Sequence, residues 1–321
     1  MAALIEPVPQ PQIVDLRELR PRELDPLLQE ETITWERTLD WDFHKSADLV
    51  RRFVDLRALN GSALVDYGTV IGYGYYVLED QKGLIGDIYV RRDVRTPEHE
   101  SRLLTAILDQ MINSPQISRI ESQLMMVDSM AGQDIPGARF LSTFLRNFMV
   151  LELAGAELPQ GHVRYRVYVE KWMEHFQDSA AAVIAAAYAG HIDSNINDQY
   201  RSAAGARRFL FNIVQYPGCG AFFRSGSVVA IDTDGRLCGL CLASLVSTDV
   251  GHITQICVAP WVRGSGVGYE LLRQSLMALR AGGCRKVSLT VTASNGEAVR
   301  LYERMGFSTQ CQFSAYVWEG F

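Results

Sequence analysis

Apolar and polar residues alternate along one stretch of the chain and then change to helical spacing. Over Gly251–Val258 the two kinds of residue alternate, which is typical of a β-strand with one buried face. Over Tyr269–Ala281 leucines recur at intervals of three and four residues, which predicts an amphipathic helix, and Gly282 ends it. The segment Arg263–Gly268 between them is rich in glycine. The pattern therefore predicts a strand, a tight turn and a helix.

Similar patterns divide the remainder of the chain into further elements. Helical spacing predicts helices over 14–59 (broken near Pro21 and Pro26), 95–112, 138–149, 172–188, part of 195–216, and 295–305. Alternation and turn residues predict strands over 62–90, 117–127 and 162–169, a hairpin over 228–246, and strands over 286–292 and 310–318. Residues 1–13 are rich in proline and are expected to be poorly ordered.

The order of these elements repeats within the chain, and the repeat can be checked at single residues. Val90 ends a predicted strand in the first half as Val258 does in the second. An arginine follows five residues later in both cases, at Arg95 and Arg263. We therefore predict two tandem copies of one αβ fold. The two copies span residues 1–168 and 169–321.

The turn from Arg263 to Gly268 reads Arg-Gly-Ser-Gly-Val-Gly and has the composition of a phosphate-binding loop. Consecutive backbone N–H groups in such a turn add to the positive end of the following helix dipole, and side chains at the glycine positions would block close approach. The spacing matches neither the dinucleotide-binding fingerprint nor the P-loop, which requires Lys-Ser/Thr after its last glycine. A glycine-rich turn alone is weak evidence, so the neighbouring sequence has to identify the ligand.

Two spaced motifs resemble those of the GNAT N-acetyltransferases. Val258-Ala-Pro-Trp-Val-Arg-Gly-Ser-Gly-Val-Gly268 matches the family's acetyl-CoA signature, Val-x-Pro-x-x-Arg-Gly-x-Gly-x-Gly. Downstream, Asn295-Gly-Glu-Ala-Val-Arg-Leu-Tyr-Glu-Arg-Met-Gly-Phe307 is similar to the family's Asn-x-x-Ala-x-x-x-Tyr-x-x-x-Gly-Phe segment. The resemblance implies an α/β (α+β) fold, here two tandem GNAT folds, each with a mixed, mainly antiparallel sheet flanked by helices. This architecture is similar to that of the mycothiol synthases, although no motif specific to those enzymes is present.

The resemblance also implies how acetyl-CoA is bound. The residues expected to hold its diphosphate are Arg263, Gly264, Ser265, Gly266, Val267 and Gly268, together with Asn295. In the family, the strand that ends here at Val258 splays from its neighbour and leaves main-chain groups free. We therefore expect the backbone of Ile256 and Val258 to bind the pantetheine and the thioester oxygen.

Two side chains are candidates for proton transfer when an amine attacks the thioester. Tyr302 matches the family's tyrosine that protonates the departing thiolate, since a phenol of pKa about 10 is protonated at neutral pH. His252 is the candidate base, because several family members have a glutamate or histidine at this position. Unbroken alternation would place His252 on one strand face with Thr254, Ile256 and Val258, where Thr254 would orient a relay water. A tyrosine packed in the core and a satisfied surface histidine are the alternative interpretations.

The polar segment between the first two predicted helices of the second copy is the candidate acceptor site. In the family this segment usually covers the acceptor. Its candidate residues are His191, Asp193, Asn195 and Tyr200. The alternative is a polar surface loop that caps a helix.

The first copy lacks the residues that would bind a diphosphate. Arg95 is followed by Thr96-Pro-Glu-His-Glu100, in which Pro97 has no N–H to donate. Glu98 and Glu100 place two negative charges there, each at a cost of about 4 kcal/mol against a phosphate charge ~4 Å away at an effective dielectric of about 20. We therefore expect a non-catalytic partner that helps to wall the acceptor site. The alternative is that this copy binds CoA differently.

Composition and charge narrow the class of protein. The 321 residues are 48% hydrophobic and 21% charged, as in ordinary globular proteins, and the net charge of −6 without a basic cluster argues against a nucleic-acid partner. The start has no signal-peptide pattern, and the most apolar run, Ala180–Ala189, is too short to span a bilayer. We expect a cytoplasmic protein without membrane contact.

Cys238 and Cys241 have CxxC spacing inside a predicted strand without a second pair, so we expect reduced, buried thiols and no metal.

The sequence thus predicts an N-acetyltransferase that moves an acetyl group from acetyl-CoA to a primary amine of a small molecule, by direct attack in a ternary complex. Two alternatives stay open, a protein or peptide N-acetyltransferase and a non-catalytic acyl-CoA-binding module. Tyr302 and the complete glycine loop argue against the module. The acceptor amine, the acyl chain length and the oligomeric state have no signature in the sequence.

Overall fold

The computed structural model describes residues 10–127, 135, 137–216, 218 and 220–321, and divides into two compact units. The first unit comprises the chain up to Trp35, Phe43–Ser142 and Tyr316–Phe321, and the second comprises Glu36–Asp42 and Thr143–Ala315. Residues 1–9 of the proline-rich start and Cys219 lie outside the described residues. Each unit is built from segments that are not contiguous in the sequence, and residues 143–168 belong to the second unit.

The described part of the first unit holds one sheet and three helices. The strands are β1 (Gln12–Asp15), β2 (Asn60–Asp66), β3 (Thr69–Glu79), β4 (Lys82–Val90) and β5 (Arg119–Leu124), and the α-helices are α1 (Pro21–Leu39), which passes into the second unit after Trp35, α2 (His44–Asp55) and α3 (Pro97–Ile112). The strands lie in the order β1-β2-β3-β4-β5, with β4 and β5 parallel and the other pairs antiparallel. Leu103, Ile107 and Met111 of α3 are buried against glycines of this sheet, which let the helix approach closely.

Helix α1 continues through Pro26, where the sequence predicts a break. The helix begins at Pro21, as expected, but the second proline lies inside it. A proline there costs a hydrogen bond and about 3 kcal/mol. Burial of Leu24, Leu27 and Leu28 on either side of it outweighs this cost, at about 1.5–3 kcal/mol for each leucine.

The second unit holds most of the remaining elements. Its strands are β6 (Leu141–Glu152), β7 (Val167–Lys171), β8 (Ala221–Phe222), β9 (Val228–Asp232), β10 (Leu237–Leu245), β11 (Val250–Val258), β12 (Lys286–Thr292) and β13 (Ser308–Glu319), of which β13 passes into the first unit after Ala315. Its helices are α4 (Gln177–Tyr188), α5 (Asp193–Ile196), α6 (Ala203–Gln215), α7 (Val267–Ala281) and α8 (Gly296–Arg304). The strands lie in the order β13-β6-β12-β11-β10-β9-β7, and β8 pairs with β10.

Strand β6 occupies the stretch for which the sequence predicts a helix over 138–149. It pairs antiparallel with β12, from Glu152 opposite Lys286 to Arg146 opposite Thr292. Four consecutive residues, 146–149, are buried, so the strand is covered on both faces and shows no alternation. A short apolar run of this kind does not distinguish a buried strand from a helix. Of the strand expected over 162–169, only residues 167–169 lie in a strand, β7, which pairs with β9 in the second unit and does not close the first copy.

The core of the second unit lies between the sheet and helix α7. Leu272, Leu276 and Leu279 are fully buried there, as the helical spacing predicts. Cys238 and Cys241 are free, buried thiols of β10, and burial raises the pKa of Cys241 to about 12. These thiols are therefore protonated packing groups at neutral pH.

Both units have a mixed, mainly antiparallel sheet with flanking helices, which confirms the predicted fold class. In each unit a strand that ends at the predicted valine, Val90 or Val258, precedes the helix that begins at Pro97 or Val267. Among the helices of the described residues, we find none with the length and apolar composition needed to cross a bilayer.

Candidate active site

The parallel strands β11 and β12 separate halfway along their length. Their ladder runs from Val250–Lys286 to Ile253–Leu289, and β11 then continues to Val258 without a strand partner on that side within the described chain. On the other side, the N–H of Ala259 donates to the carbonyl of Cys238 in β10 at 2.8 Å. Alternation along the strand therefore directs the N–H groups of Ile256 and Val258 into the opening.

A β-bulge interrupts β11 immediately before this opening. Leu242 of β10 pairs with Gln255, but its neighbour Ala243 pairs with Ile253, which leaves Thr254 as the extra residue. The hydroxyl of Thr254 donates to the carbonyl of Leu242 at 3.1 Å. Its hydrogen bond thus stabilises the bulge.

The bulge also reverses which residues of β11 share a face. Before it, the Cβ position of Gly251 lies 2.8 Å from Leu279 of α7, so the next residue, His252, faces away from α7. After it, Val258 faces α7 again, 3.7 Å from the Cβ position of Gly268. His252 and Val258 therefore lie on opposite faces, and the prediction that they share one is wrong, because it assumed unbroken alternation.

His252 is 4% exposed and packs inside the second unit. Its Nδ1 lies 2.9 Å from the hydroxyl of Ser288, and its ring meets the indole of Trp41 edge-on, with ring centroids 4.9 Å apart. Burial lowers the pKa of His252 to about 3, so the imidazole is neutral at physiological pH. Its base role stays a prediction, whereas these contacts give it a packing role.

The glycine-rich turn leaves a run of backbone donors free at the start of α7. In the described part of the chain, no intramolecular acceptor binds the N–H groups of Gly264, Gly266, Val267, Gly268 and Tyr269. Gly264 and Gly266 have φ of 70° and 89°, the left-handed region that glycine tolerates. Together with the helix dipole, these donors form a site suited to an anion.

The two polar side chains of this turn are directed into the protein. A guanidinium nitrogen of Arg263 donates to the carbonyl of Ala187 at 2.5 Å, at the end of α4. The hydroxyl of Ser265 donates to the carbonyl of Val262, also at 2.5 Å. The turn therefore presents its main chain, and Arg263 fixes the position of the turn relative to α4.

Asn295 caps helix α8 and also contacts the predicted acceptor segment. Its Oδ1 accepts a hydrogen bond from the N–H of Ala298 at 3.3 Å, and its Nδ2 lies 3.3 Å from Nε2 of His191. Nδ1 of His191 in turn accepts from the N–H of Asp193 at 3.1 Å. The structure thus brings His191, Asp193 and Asn295 together at the start of the helix that carries Tyr302.

Tyr302 lies in α8 with a buried ring and a free hydroxyl. It is 6% exposed, its ring packs edge-on against Phe307, and its hydroxyl has no hydrogen-bond partner within the described residues. Burial raises the pKa of Tyr302 well above its usual value, and the nearby carboxylate of Asp193 raises it further. The phenol is therefore protonated at physiological pH and can donate.

Arg146 of β6 is a site residue that the sequence analysis missed. Its guanidinium donates to Asp193 at 3.3 Å, to Thr292 at 2.9 Å and to Thr290 at 3.2 Å. Thr292 also donates to Asp193. Both charges of this ion pair act on the phenol of Tyr302: Asp193 raises its pKa, and Arg146 opposes part of that effect. An arginine within an apolar run was the available signal, but it was placed on a helix.

A second group that sequence reasoning missed is the aromatic wall beside Ile256. Tyr188 and Tyr200 stack with ring centroids 4.4 Å apart, and Gln255 connects them by accepting from Tyr200 at 3.3 Å and donating to Tyr188 at 3.1 Å. The hydroxyl of Tyr188 lies 3.5 Å from the carbonyl of Ile256. Of the predicted acceptor residues, Tyr200 thus reaches the opening through this network, whereas Asn195 is exposed in α5.

The described residues contain no group of three His, Cys, Asp or Glu side chains arranged to hold a metal ion. What they contain is a strand opening with free N–H groups, an anion-binding turn, a protonated phenol and a buried Arg–Asp pair. This set suits acyl transfer from a phosphate-bearing thioester.

The comparisons with known proteins agree with this chemistry. Residues 194–307 match the model of the Acetyltransferase (GNAT) family. Residues 194–307 therefore form a GNAT-family acetyltransferase domain, and such enzymes use acetyl-CoA. A mycothiol acetyltransferase from Frankia casuarinae is 26% identical over 79% of this chain and 74% of its own length. One from Propionibacterium freudenreichii subsp. shermanii is 26% identical over 82% and 84%.

Solved structures show the same fold over nearly the whole chain. A GCN5-related N-acetyltransferase from Sphaerobacter thermophilus has a TM-score of 0.65 at 18% identity, covering 96% of this chain and 95% of its own. A tandem GNAT protein from the clavulanic acid biosynthesis pathway has a TM-score of 0.62 at 15% identity, covering 97% and 98%. The tandem architecture is thus shared with proteins of low sequence identity.

Proposed function

We propose that this enzyme acetylates a primary amine of a small molecule, by direct attack of the amine on the thioester of acetyl-CoA in a ternary complex. Similarity to the mycothiol acetyltransferases, which match the chain across both halves, supports this acceptor class. The proposed acceptor is the amine of the small molecule whose acetylation yields mycothiol.

The proposal rests mainly on the arrangement of the strand opening and the anion-binding turn. In the second unit, the opening between β11 and β12 exposes the N–H groups of Ile256 and Val258 on the same strand that leads into the anion-binding turn. A cofactor whose diphosphate is bound at Gly264–Gly268 can run its pantetheine along this strand as an additional β-like segment. Its thioester then lies at the opening.

The chemistry requires a donor for the oxyanion and a proton for the leaving group. The amine attacks the thioester carbon, and the N–H of Ile256 stabilises the oxyanion of the tetrahedral intermediate. Collapse of the intermediate breaks the C–S bond and yields the amide and the CoA thiolate. Tyr302 donates its phenolic proton to that thiolate and is reprotonated by the proton that the amine releases.

The proton acceptor for the amine is a separate part of the proposal. His252 keeps its candidacy only through Nε2 and a relay water, since Nδ1 is engaged by Ser288. A base with pKa near 3 removes a proton from an ammonium ion poorly. Deprotonation of the amine in solution before binding would remove the need for such a base.

The acceptor itself is assigned to the segment that leads from α4 to α6. His191 and Tyr200 are half-buried and adjoin the opening, whereas Asn195 is exposed where a larger acceptor would extend. Asp193 is paired with Arg146, so its charge positions the site and does not bind an ammonium group.

The first unit is proposed to be non-catalytic. Arg95, the counterpart of Arg263, donates to Glu100 and to the carbonyl of Met126, both at 2.6 Å. Glu100 is buried in the first turn of α3, where a phosphate would have to bind. The carboxylate of Glu100 thus occupies the position near Arg95 that a phosphate would otherwise take.

The test is acetyl transfer to the desacetyl form of mycothiol, followed by mass spectrometry of the product. We expect one added acetyl group and stoichiometric CoA release. Tyr302→Phe should lower kcat by about 10²-fold or more without changing the Kd of acetyl-CoA. Tyr168→Phe, the same change on an exposed residue of β7, is the matched control.

A peptide acceptor is the second candidate, because part of the chain resembles a peptide-modifying enzyme. A putative ribosomal-protein alanine N-acetyltransferase from Bacillus subtilis is 35% identical over 24% of this chain. An alanine-terminated peptide therefore belongs in the same assay. Acetylation of this peptide, with the small amine left unmodified, would overturn the proposed acceptor class.

A further inference from the structure

The segment 156–166, named here the linker segment, lies along helix α7 and crosses the glycine-rich turn. Arg280 at the end of α7 donates to the carbonyl of Ala156 at 2.6 Å, and Tyr269 at its beginning donates to the carbonyl of Pro159 at 3.0 Å. Further along, the N–H of Arg164 donates to the carbonyl of Ser265 at 2.8 Å. The linker segment therefore reaches the turn at the place where the free backbone donors begin.

The fit between the linker segment and the turn is close. A Cβ at Gly266 would lie 2.4 Å from the carbonyl oxygen of His162, so the two backbones are in direct contact there. Gly264 has open space around its Cβ position, and Gly268 meets nothing closer than Val258. The linker segment thus covers one side of the turn and leaves the side of Gly264 and Gly268 accessible to a ligand.

Side chains of the linker segment alternate between the core and solvent at this point. Val163 and Tyr165 are half-buried and pack on the core of the second unit. His162, Arg164 and Arg166 are exposed on the opposite face. Among the ion pairs of the described residues, neither Arg164 nor Arg166 takes part in one. The linker segment therefore presents uncompensated positive charge beside the turn.

The turn needs such charge from outside itself. The guanidinium of Arg263 is held by the carbonyl of Ala187, and Arg273 of α7 is paired with Glu270 at 2.7 Å. The hydrogen bond from Arg273 lowers the pKa of Glu270, so that this carboxylate in the first turn of α7 is ionised. Acetyl-CoA brings a diphosphate and a 3′-phosphate, which backbone N–H groups bind but do not neutralise.

We propose that Arg164, with Arg166 beyond it on the same face, forms ion pairs with the phosphates of acetyl-CoA. These residues are then part of the cofactor site, although they precede the family motif by about a hundred residues in the sequence. Their role is to hold the cofactor so that its thioester lies at the opening between β11 and β12. This inference rests on the proposed function, since it concerns the same cofactor.

The experiment measures acetyl-CoA binding by calorimetry and steady-state kinetics on the full chain. Arg164→Gln should raise the Kd and KM of acetyl-CoA by about tenfold, the size of a lost charge-assisted hydrogen bond, while kcat is unchanged. Arg164→Lys should recover most of the affinity. Arg224→Gln removes the same charge at the opposite end of α7, where Arg224 pairs with Glu174, and should leave the Kd unchanged.

Binding of the 3′-dephospho analogue of acetyl-CoA distinguishes a contact with the 3′-phosphate from a contact with the diphosphate. If Arg164 binds the 3′-phosphate, Arg164→Gln weakens acetyl-CoA but not its 3′-dephospho analogue; if it binds the diphosphate, both are weakened equally. Equal Kd values for the parent and Arg164→Gln, in chains of equal melting temperature, would overturn the inference. A parent protein that does not bind acetyl-CoA would instead overturn the proposed function.

Discussion

At Gly266 a single hydrogen atom in place of a side chain allows three requirements to be met at once. The residue has a left-handed backbone, it contacts the carbonyl of His162, and it contributes a free N–H to the anion site. The turn depends on this position more than on its neighbours, because Gly264 and Gly268 have room for a methyl group.

Gly266→Ala is therefore expected to raise the Kd of acetyl-CoA by at least about tenfold and to lower the melting temperature. The methyl group would lie 2.4 Å from the carbonyl oxygen of His162, and the left-handed backbone costs a further 1–2 kcal/mol, roughly. Gly235→Ala is the matched control, since Gly235 has φ of 78° and open space in a remote hairpin turn. The control should lose stability but keep its affinity, and equal affinity in both variants would contradict the argument.

His252 allows its packing role and its predicted catalytic role to be separated. We expect His252→Asn to lower the melting temperature, because it opens a cavity beneath Trp41 and weakens the hydrogen bond with Ser288. The dependence of kcat/KM on pH between 6 and 9 should keep its shape, since the pKa of about 3 places the histidine's own titration far below that range. A flattened acid limb in the variant would show that His252 is the base after all.

The sequence predicted single residues well where chemistry restricts the choice of amino acid. The glycines of the turn, Asn295 and Tyr302 all lie at the site, since a phosphate loop and a proton donor each allow few residue types. The residues that surround a given side chain were not predictable in the same way. Nothing local to His252 indicates that Trp41, over two hundred residues away in the sequence, would cover it.

Three elements of the second unit meet at the buried pair of Arg146 and Asp193. The arginine comes from β6, the aspartate from α5, and their shared partner Thr292 from the end of β12. The pair thus fixes the acceptor segment to the sheet and stabilises the position of the neighbouring phenol.

Removing one member of this pair should be more harmful than removing both. Arg146→Met leaves the mostly buried carboxylate of Asp193 without its arginine partner, at a cost of up to about 3–5 kcal/mol, whereas the double variant Arg146→Met, Asp193→Leu should recover much of that loss. Chemical denaturation of the single and double variants measures the difference. A double variant that is less stable than the single would contradict the argument, and kcat should stay low in both because the acceptor segment is released.

Elements were predictable where their pattern was periodic and their ends were marked. The strand over 286–292 and the helix before Gly282 agree with the structure, because alternation and a glycine cap specify them locally. Strand β6 was not predictable, since burial on both faces removes the period-two signal. The bulge at Thr254 is likewise decided by the pairing with β10 and by no residue of β11 alone.

On the scale of the whole molecule, the first unit contains a pair of buried acids that makes its stability depend on pH. In the first unit Glu31 is fully buried and accepts from the hydroxyl of Tyr73 at 2.7 Å, and it also shares a hydrogen bond with the carboxyl group of Asp87. Burial raises the pKa of Glu31 well above its usual value and that of Asp87 to about 6. Ionisation of either carboxyl group is therefore less favourable in the folded state than in the unfolded state.

The stability that this pair contributes should be present at acid pH and lost as the pH rises. Because the folded pKa of Asp87 is about 6 and its unfolded value is 3.8, the contribution is complete below pH 4 and falls as the pH passes through 6. Asp87→Asn should therefore gain in melting temperature relative to the parent between pH 5 and 8. A constant difference between the two proteins over that range would show that the pair does not titrate.

The tandem fold was predictable from the sequence, whereas the interleaving of the two compact units was not. Repeated order of elements gave two copies, as the tandem structures of low identity also have. Short segments that belong to the other unit, such as Glu36–Asp42, carry no signature in sequence. Their assignment depends on long-range packing, which a local pattern does not encode.

The interleaved segments have a consequence for synthesis on the ribosome. Residues 316–321 belong to the first unit but emerge after the whole of 143–315, which takes roughly 10–35 s at about 5–20 residues per second. Tyr316 and Trp318, which are buried in the core of the first unit, are absent during that time. The first unit therefore lacks two of its core side chains until residues 316–321 have been translated.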